Sequence, residues 1–427
     1  MSTISKEAEQ KLTPIQEHER ITTVDVLRGF ALLGILLVNM AFFNTSVIEQ
    51  NLRFMNPVTN WIDQIATWFI LFFATTKFYT IFSFLFGLGF AIQLQRAQLR
   101  GTPFLSTYAR RLLVLFLIGA AHAVLLWYGD ILTTYALLGF ALLLFRNCRP
   151  RTLLIWSTIL LTIPIIAMSV IVGLFIALSP LLDGTGIMEQ QIILLQQMAA
   201  EAERVYSSGS FAEIIGQHIQ NLLFVASSLP VTIFISLPTI MAMFLVGLYA
   251  GKRRIFHDIQ AHRPFFRKIL LWGAIIGLPL NAIYVVFYGE LTSLDLNIGA
   301  IVATAAIAFG APALAFAYMA GLTLLGQRES WKRWLSPLAP VGCMALTNYL
   351  LQTIICTTIF YSYGLGLYGQ VGPAAGILLS IIIFTLQIPL SMWWLRHFEY
   401  GPMEWVWRKL TYGHTSRNPK PEIAPTS

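Results

Sequence analysis

Two ionisable side chains stand where such groups are costly. His122 opens the run HAVLLWYGDILTTYALLG, 11 residues beyond Arg111. Lys77 lies inside FATTKFYTIFSFLFGLGFAIQLQ, 16 residues after Trp61 and 19 before Arg96. A histidine supplies a base that changes charge near neutral pH. A lysine or arginine supplies positive charge for phosphates or for a polarised carbonyl. Three further groups belong with them: Asp130 eight residues after His122, Asp25 with Arg28 near the N-terminus, and Asn348 with Gln352 one helical turn apart. Together they offer a base, a carboxylate to orient it, cationic anchors, and amides able to stabilise an oxyanion.

The surroundings decide how unusual these groups are. The chain has 427 residues, of which 56% are hydrophobic and 11% charged, with a mean hydropathy of +0.69. A soluble domain carries about 25% charged residues. Apolar segments fall at about 24–45, 61–95, 110–128, 131–146, 152–180, 218–250, 266–288, 297–325, 336–361 and 373–395, and about 20 apolar residues cross roughly 30 Å of hydrocarbon. The pattern predicts an all-α polytopic membrane protein with about ten transmembrane helices. A β-barrel would show short alternating segments instead.

Charge orients the bundle. With the N-terminus in the cytoplasm, the inner segments hold 25 of the 28 Lys and Arg residues; Arg53 and Arg204 fall outside and Lys77 within a crossing. The positive-inside rule therefore places both termini in the cytoplasm. The net charge of +8 is thereby topological, and no nucleic-acid partner is expected. Residues 1–20 read as a polar cytoplasmic segment, 21–396 as one transmembrane domain with a long outer loop at 181–217, and 397–427 as a cytoplasmic amphipathic helix followed by a disordered tail. In the outer loop, MEQQIILLQQMAAEAERVY has helical apolar spacing and is expected along the membrane surface. GPMEWVWRKLTYG, at 401–413, suits the cytoplasmic headgroup layer. TTVD at 22–25 reads as a capping box in which Thr22 caps and Asp25 reaches back. Cys148, Cys343 and Cys356 lack metal-ligand spacing and read as embedded thiols. GLGLYG at 364–369 matches a dinucleotide pattern but follows an apolar helix, so it carries no such meaning.

Depth then separates the polar groups. At about 1.5 Å per residue, His122 lies about 16 Å beyond Arg111, near the midplane. Lys77 is equally central, and its segment is expected to be broken or tilted near Thr75–Lys77. An ionisable group there costs roughly 2.5–3.5 kcal/mol on insertion scales unless it meets water or a partner. Asn348 and Gln352 are also mid-depth; Asn39, Asn281 and Gln387 read as groups bonding neighbouring helices. Asp130 falls at an outer turn, and Asp25 and Arg28 at the cytoplasmic mouth of the first crossing. A polar cavity lined by these residues suits a membrane transferase or a small-solute transporter. A scaffold would keep the same groups only as helix glue.

Several stretches carry a resemblance. VDVLRGFALLGILLVN (24–39), KFYTIFSFLFGLGFA (77–91), AAHAVLLWYGDILTTYALLGF (120–140), ALTNYLLQTIICTTIFYSYGLGL (345–367) and GPMEWVWRKLT (401–411) closely resemble the YeiB-like family of bacterial inner-membrane proteins. The likeness covers nearly the whole chain, less in 181–217. It implies the bacterial cytoplasmic membrane and a broad association with transport. The VDxxRG opening is also similar to the transmembrane acyltransferases, which include the lysosomal glucosaminide acetyltransferase. In those proteins an acyl group passes from cytoplasmic acyl-CoA to an acceptor on the far side. That likeness covers Asp25, Arg28 and Gly29. The histidine that serves there is expected near the start of the second crossing, where NPVTNWIDQ has none; either His122 fills that role from another helix or the family's chemistry differs.

The leading expectation is an inner-membrane acyltransferase. Arg28, with Lys77, holds the donor's phosphates or carbonyl, and Asp25 shares that substrate-binding mouth. His122 is the base toward a hydroxyl or amine, and Asp130 orients it or the acceptor. About two helical turns of sequence separate this pair, so a direct bond requires the turn to fold back. Asn348 and Gln352 bind substrate or the oxyanion. Acyl-CoA is the donor substrate, and no metal and no tightly bound cofactor are expected. The partners are the lipid bilayer and a small molecule. The alternative is a transporter with the same residues as a midplane polar site.

Overall fold

A computed structural model describes residues 21–53, 60–182, 186–228, 231–292 and 296–413. The expectations for the polar segment 1–20 and the last residues of the tail lie outside these. Helices dominate, and no β-strand occurs among the described residues.

In chain order the helices are α1 (Thr22–Asn44), α2 (Val47–Arg53), α3 (Trp61–Phe69), α4 (Lys77–Arg100), α5 (Phe104–Leu125), α6 (Leu132–Leu142), α7 (Pro150–Leu182), α8 (Ile187–Ser208) and α9 (Phe211–Ser227). They continue with α10 (Leu237–Lys252), α11 (Arg263–Val286), α12 (Tyr288–Thr292), α13 (Ile298–Leu325), α14 (Glu329–Leu335), α15 (Leu338–Cys343), α16 (Ala345–Phe360), α17 (Pro373–His397) and α18 (Pro402–Tyr412). Eight helical spans among the described residues are long and apolar enough to cross a membrane, and Leu132–Phe145 and Ala345–Phe360 are shorter apolar helices. The chain is an all-α, multi-pass membrane protein. The outward faces of α7 and α11 are apolar and exposed, as at Ile155, Ile166, Leu174, Leu271, Trp272 and Ile275. In a bilayer such surface belongs against lipid.

Several expected segments are interrupted. The 61–95 segment passes from α3 into a π-helical turn at Ile70–Ala74 and breaks at Thr75–Thr76, where Thr76 has φ 69°. Lys77 begins the next helix, so the break lies where the polar triplet TTK predicts it. The 336–361 segment is not one helix: it divides into α15 and α16 at Met344.

The first turn of α1 corrects a second expectation. Thr22 lies inside the helix, and its cap residue, Ile21, makes no side-chain cap. Asp25 is buried and bonds Arg28 at 2.8 Å and the Cys343 thiol at 3.3 Å, so it does not reach back to the helix start. Glycine explains why α1 and α15 approach so closely. A Cβ on Gly29 would lie 2.1 Å from the Leu338 carbonyl oxygen, and one on Gly342 would lie 1.9 Å from that of Asp25. A true capping box occurs at α9, between Ser210 and Glu213.

Candidate functional site

Helices α1, α4, α5, α6, α15, α16 and α18 enclose a cavity of about 240 Å³. Its chemistry changes along its length. At one end stand Arg28 of α1, Arg96 of α4, Arg111 of α5 and Arg408 of α18. Farther in, the wall is Leu32, Ile35, Phe82, Phe86, Leu115, Ile131, Leu132 and Leu346, with Tyr135 and Tyr349. Arg28 and Ile35 are seven residues apart on one helix, about 10 Å of depth. The cavity is therefore cationic at its mouth and apolar inside.

The tail helix builds part of this wall. It docks on α5 and α16. Trp407 donates its indole N–H to the Arg111 carbonyl at 2.9 Å, while the Arg111 guanidinium stacks 3.8 Å from the Trp407 ring. Glu404 is buried and accepts the backbone N–H groups of Leu346 and Thr347, at 2.7 and 3.2 Å, and the Thr347 hydroxyl. Those amides are the unsatisfied donors of the first turn of α16, so a carboxylate from another helix caps it. Burial raises the Glu404 carboxyl above the usual carboxylate range, against the opposing effect of its hydrogen bonds.

Beyond the apolar end lies His122. Its ring is 5.2 Å from that of Tyr349, which lines the cavity. The imidazole is nearly sealed, with Nδ1 3.0 Å from Asp130 Oδ1 and Nε2 3.0 Å from Thr353 Oγ1. A carboxylate only accepts, so an ionised Asp130 fixes the proton on Nδ1. Nε2 of the neutral ring is then free to accept from Thr353. Hydroxyl, imidazole and carboxylate thus stand in the order of a catalytic triad. The second Asp130 oxygen accepts the N–H and hydroxyl of Thr133 at 2.7 and 2.8 Å. Gly119 leaves room for this turn: a Cβ there would lie 2.8 Å from Asp130 Oδ2. Asp130 thus turns inward from the loop between α5 and α6, its side chain 1% exposed.

The other expected site residues go elsewhere. Lys77 is fully buried, donates to the Leu71 carbonyl at 2.9 Å and lies 5.7 Å from the Tyr284 ring of α11; it does not line the cavity. Asn348 donates to Ser391 at 3.0 Å and to the Val341 carbonyl at 3.2 Å, and Gln352 donates to Gln387 at 2.9 Å. Gln387 in turn donates to the Asn348 carbonyl. These amides staple α16 to α17, and neither Asn348 nor Gln352 lines the cavity. Asn281 likewise bonds the Gly277 and Gly310 carbonyls.

Relatives match this chain along almost its full length. It is 38% identical over 412 residues to the uncharacterized protein YxaH of Bacillus subtilis, covering 94% of this chain and 96% of the relative. It is 29% identical over 430 residues to the uncharacterized protein YeiB of Escherichia coli, covering 96% and 100%. The chain belongs to the YeiB-like family. Residues 250–414 also match the family described as "Protein of unknown function (DUF418)". That match spans α16, with Thr353, and Glu404 of the tail helix, while His122 and Asp130 lie before it. Sequence reasoning missed Thr353, Glu404 and the cationic mouth beyond Arg28. The arginines were legible as inner-loop charges, but not as one rim.

Proposed function

We propose that this YeiB-like protein is an acyltransferase of the bacterial cytoplasmic membrane, taking an acyl group from cytoplasmic acyl-CoA to a hydroxyl or amine acceptor. The observation that carries this reading is the cavity itself. A four-arginine mouth suits a nucleotide thioester's phosphates, an apolar interior suits its acyl chain, and a carboxylate-oriented imidazole stands just beyond. In the reaction, His122 Nε2 accepts the acceptor's proton, the acceptor oxygen or nitrogen attacks the thioester carbonyl, and the carbon–sulfur bond breaks. The proton passes to the departing thiolate, giving free CoA thiol and the acylated acceptor. The Thr353 hydroxyl occupies the position the acceptor's reacting group takes.

The test is binding and turnover of acyl-CoA by purified protein. Saturable binding of palmitoyl-CoA or acetyl-CoA is expected, weakened in Arg28→Ala and in Arg111→Ala. Absence of thioester binding and of CoA release, with solute accumulating in proteoliposomes instead, overturns the reading. One observation favours that transport alternative: the broken α3–α4 span, with a buried lysine on a freed carbonyl, resembles the discontinuous helices at transporter sites.

A further inference from the structure

Two helices measure the length of the cavity. On α4, Arg96 stands at the arginine mouth and Phe82 is the innermost residue of that helix on the wall. The helix runs unbroken from Lys77 to Arg100, so the fourteen residues from Arg96 to Phe82 cover about 21 Å. On α5, Arg111 stands at the same mouth. His122 lies eleven residues farther along that unbroken helix, or about 16 Å. A volume of about 240 Å³ spread over such a length makes a narrow passage, one chain wide.

Aromatic rings close the far end, and their neighbours hold each of them. The Tyr135 hydroxyl lies 2.8 Å from that of Ser83 and donates to the Tyr79 carbonyl at 3.1 Å. Phe86 stacks on Phe244 with centroids 4.6 Å apart and meets Tyr135 edge-on at 5.5 Å. Phe82 lies 6.4 Å from the Tyr135 ring and packs against three separate core clusters, standing where they meet. Close-packed interiors yield little to an extra group, so a ligand that reaches these rings meets a fixed wall.

We propose that this wall is a chain-length stop, set by Phe82, that limits the thioester to acyl groups of about two to four carbons. The inference rests on the acyl-CoA reading of the cavity and names its substrate class. From pyrophosphate to sulfur, the pantetheine arm of CoA has about twelve bonds, the reach of four extended residues, or roughly 14 Å. With the phosphates on the arginines, the arm therefore brings the thioester close to the depth of His122. Roughly 7 Å remains before Phe82. At roughly 1.2 Å per bond, that length takes a butyryl group with its terminal methyl against the ring. A sixteen-carbon chain is roughly 18 Å long and would need nearly the whole passage, leaving no place for the arm.

The experiment is calorimetric titration of the full chain in detergent with free CoA and with its acetyl, butyryl, hexanoyl and octanoyl thioesters. Each carbon that enters an apolar site tightens binding about fourfold, so affinity is expected to rise from acetyl to butyryl. It is then expected to fall at least tenfold by octanoyl. Phe82→Ala lengthens the passage and is expected to move the optimum to hexanoyl or octanoyl. If Phe82→Ala fails to fold, Phe82→Leu decides the matter, because it keeps an apolar wall and moves the optimum the same way by less. Affinity that keeps rising to octanoyl in the parent overturns the proposal, as does an optimum unmoved in the folded Phe82 variants. Free CoA separates the two readings. If it binds at the mouth and the thioesters show no chain-length limit, the stop alone is overturned; if neither CoA nor any thioester binds, the acyl-CoA reading falls and the stop with it.

Discussion

His122 and Asp130 are joined by a 3.0 Å hydrogen bond across the turn between α5 and α6. On a continuous helix, residues eight apart are separated by about 12 Å along the axis. Here α5 ends on the His122 carbonyl, which accepts the N–H groups of both Leu126 and Trp127. The chain then reverses, and Asp130 returns over Gly119 to the imidazole. A histidine that stood alone in the sequence is thereby held by a carboxylate at Nδ1.

Asp130→Asn is therefore expected to fold normally and to lower kcat by about 10³-fold or more, because an amide that donates to Nδ1 selects the wrong tautomer. Gly119→Ala is expected to act in the same direction, since its Cβ would collide with Asp130 Oδ2 and the Thr133 N–H. CoA release under saturating acyl-CoA measures both. Unchanged kcat in Asp130→Asn removes His122 from the chemistry.

Arg28 lies on the rim of the cavity, held by Asp25 and still partly exposed. Arg28→Ala is expected to weaken acyl-CoA binding about tenfold, or about 1.4 kcal/mol, a fair value for one charge-assisted contact at an accessible mouth. Arg28→Lys is expected to recover only part of this, because the planar fork is lost. The effect is expected for CoA thioesters and absent for the uncharged acyl chain alone. Calorimetry with each ligand checks the contrast.

Lys77 gives the opposite expectation. It is sealed against Leu71 and Tyr284, away from the cavity, so Lys77→Met is expected to leave acyl-CoA affinity within twofold of the parent. Lys77→Ala leaves a void at a fully buried site and is expected to cost about 2–5 kcal/mol, by analogy with other large-to-small core changes. Thermal unfolding in detergent, read beside the binding isotherm, separates the two. A large loss of affinity in the stable Lys77→Met variant would return Lys77 to the donor site.

The positions of the helices along the chain were legible in the sequence and their rotation was not. Apolar length located the helices because the bilayer leaves few alternatives. The same counting put Lys77, His122, Asn348 and Gln352 near one depth. It could not fix the rotation of each helix, which packing sets. Lys77 turned toward α11, and Asn348 and Gln352 toward α17. Asp130 was read as orienting His122 on the condition that the turn folds back; it does, because Gly119 on the facing helix leaves space for the carboxylate. Thr353 gave no signal, since a threonine within an apolar helix is ordinary until an imidazole is placed beside it. Glu404 was not singled out, because its partner, the open first turn of α16, lies 58 residues away in sequence.

That last contact carries a pH dependence. Burial raises the Glu404 carboxyl above its ordinary range, so the docked tail helix holds the proton more tightly than the undocked one. By linkage, this contribution to docking is complete below the ordinary carboxylate pKa and is lost as pH rises through the raised value. The tail is expected to grip the bundle more firmly in acid than above that value. Protease protection of residues 401–413 and the emission of Trp405 and Trp407 report docking directly. Glu404→Gln mimics the neutral form and is expected to remove the pH dependence while keeping an acceptor for the α16 amides. Glu404→Ala leaves those amides uncapped and is expected to weaken docking at every pH, loosening Trp407 from Arg111 and reducing acyl-CoA affinity with it. Docking that instead tightens as pH rises would show that the hydrogen bonds outweigh burial and that Glu404 works as a carboxylate.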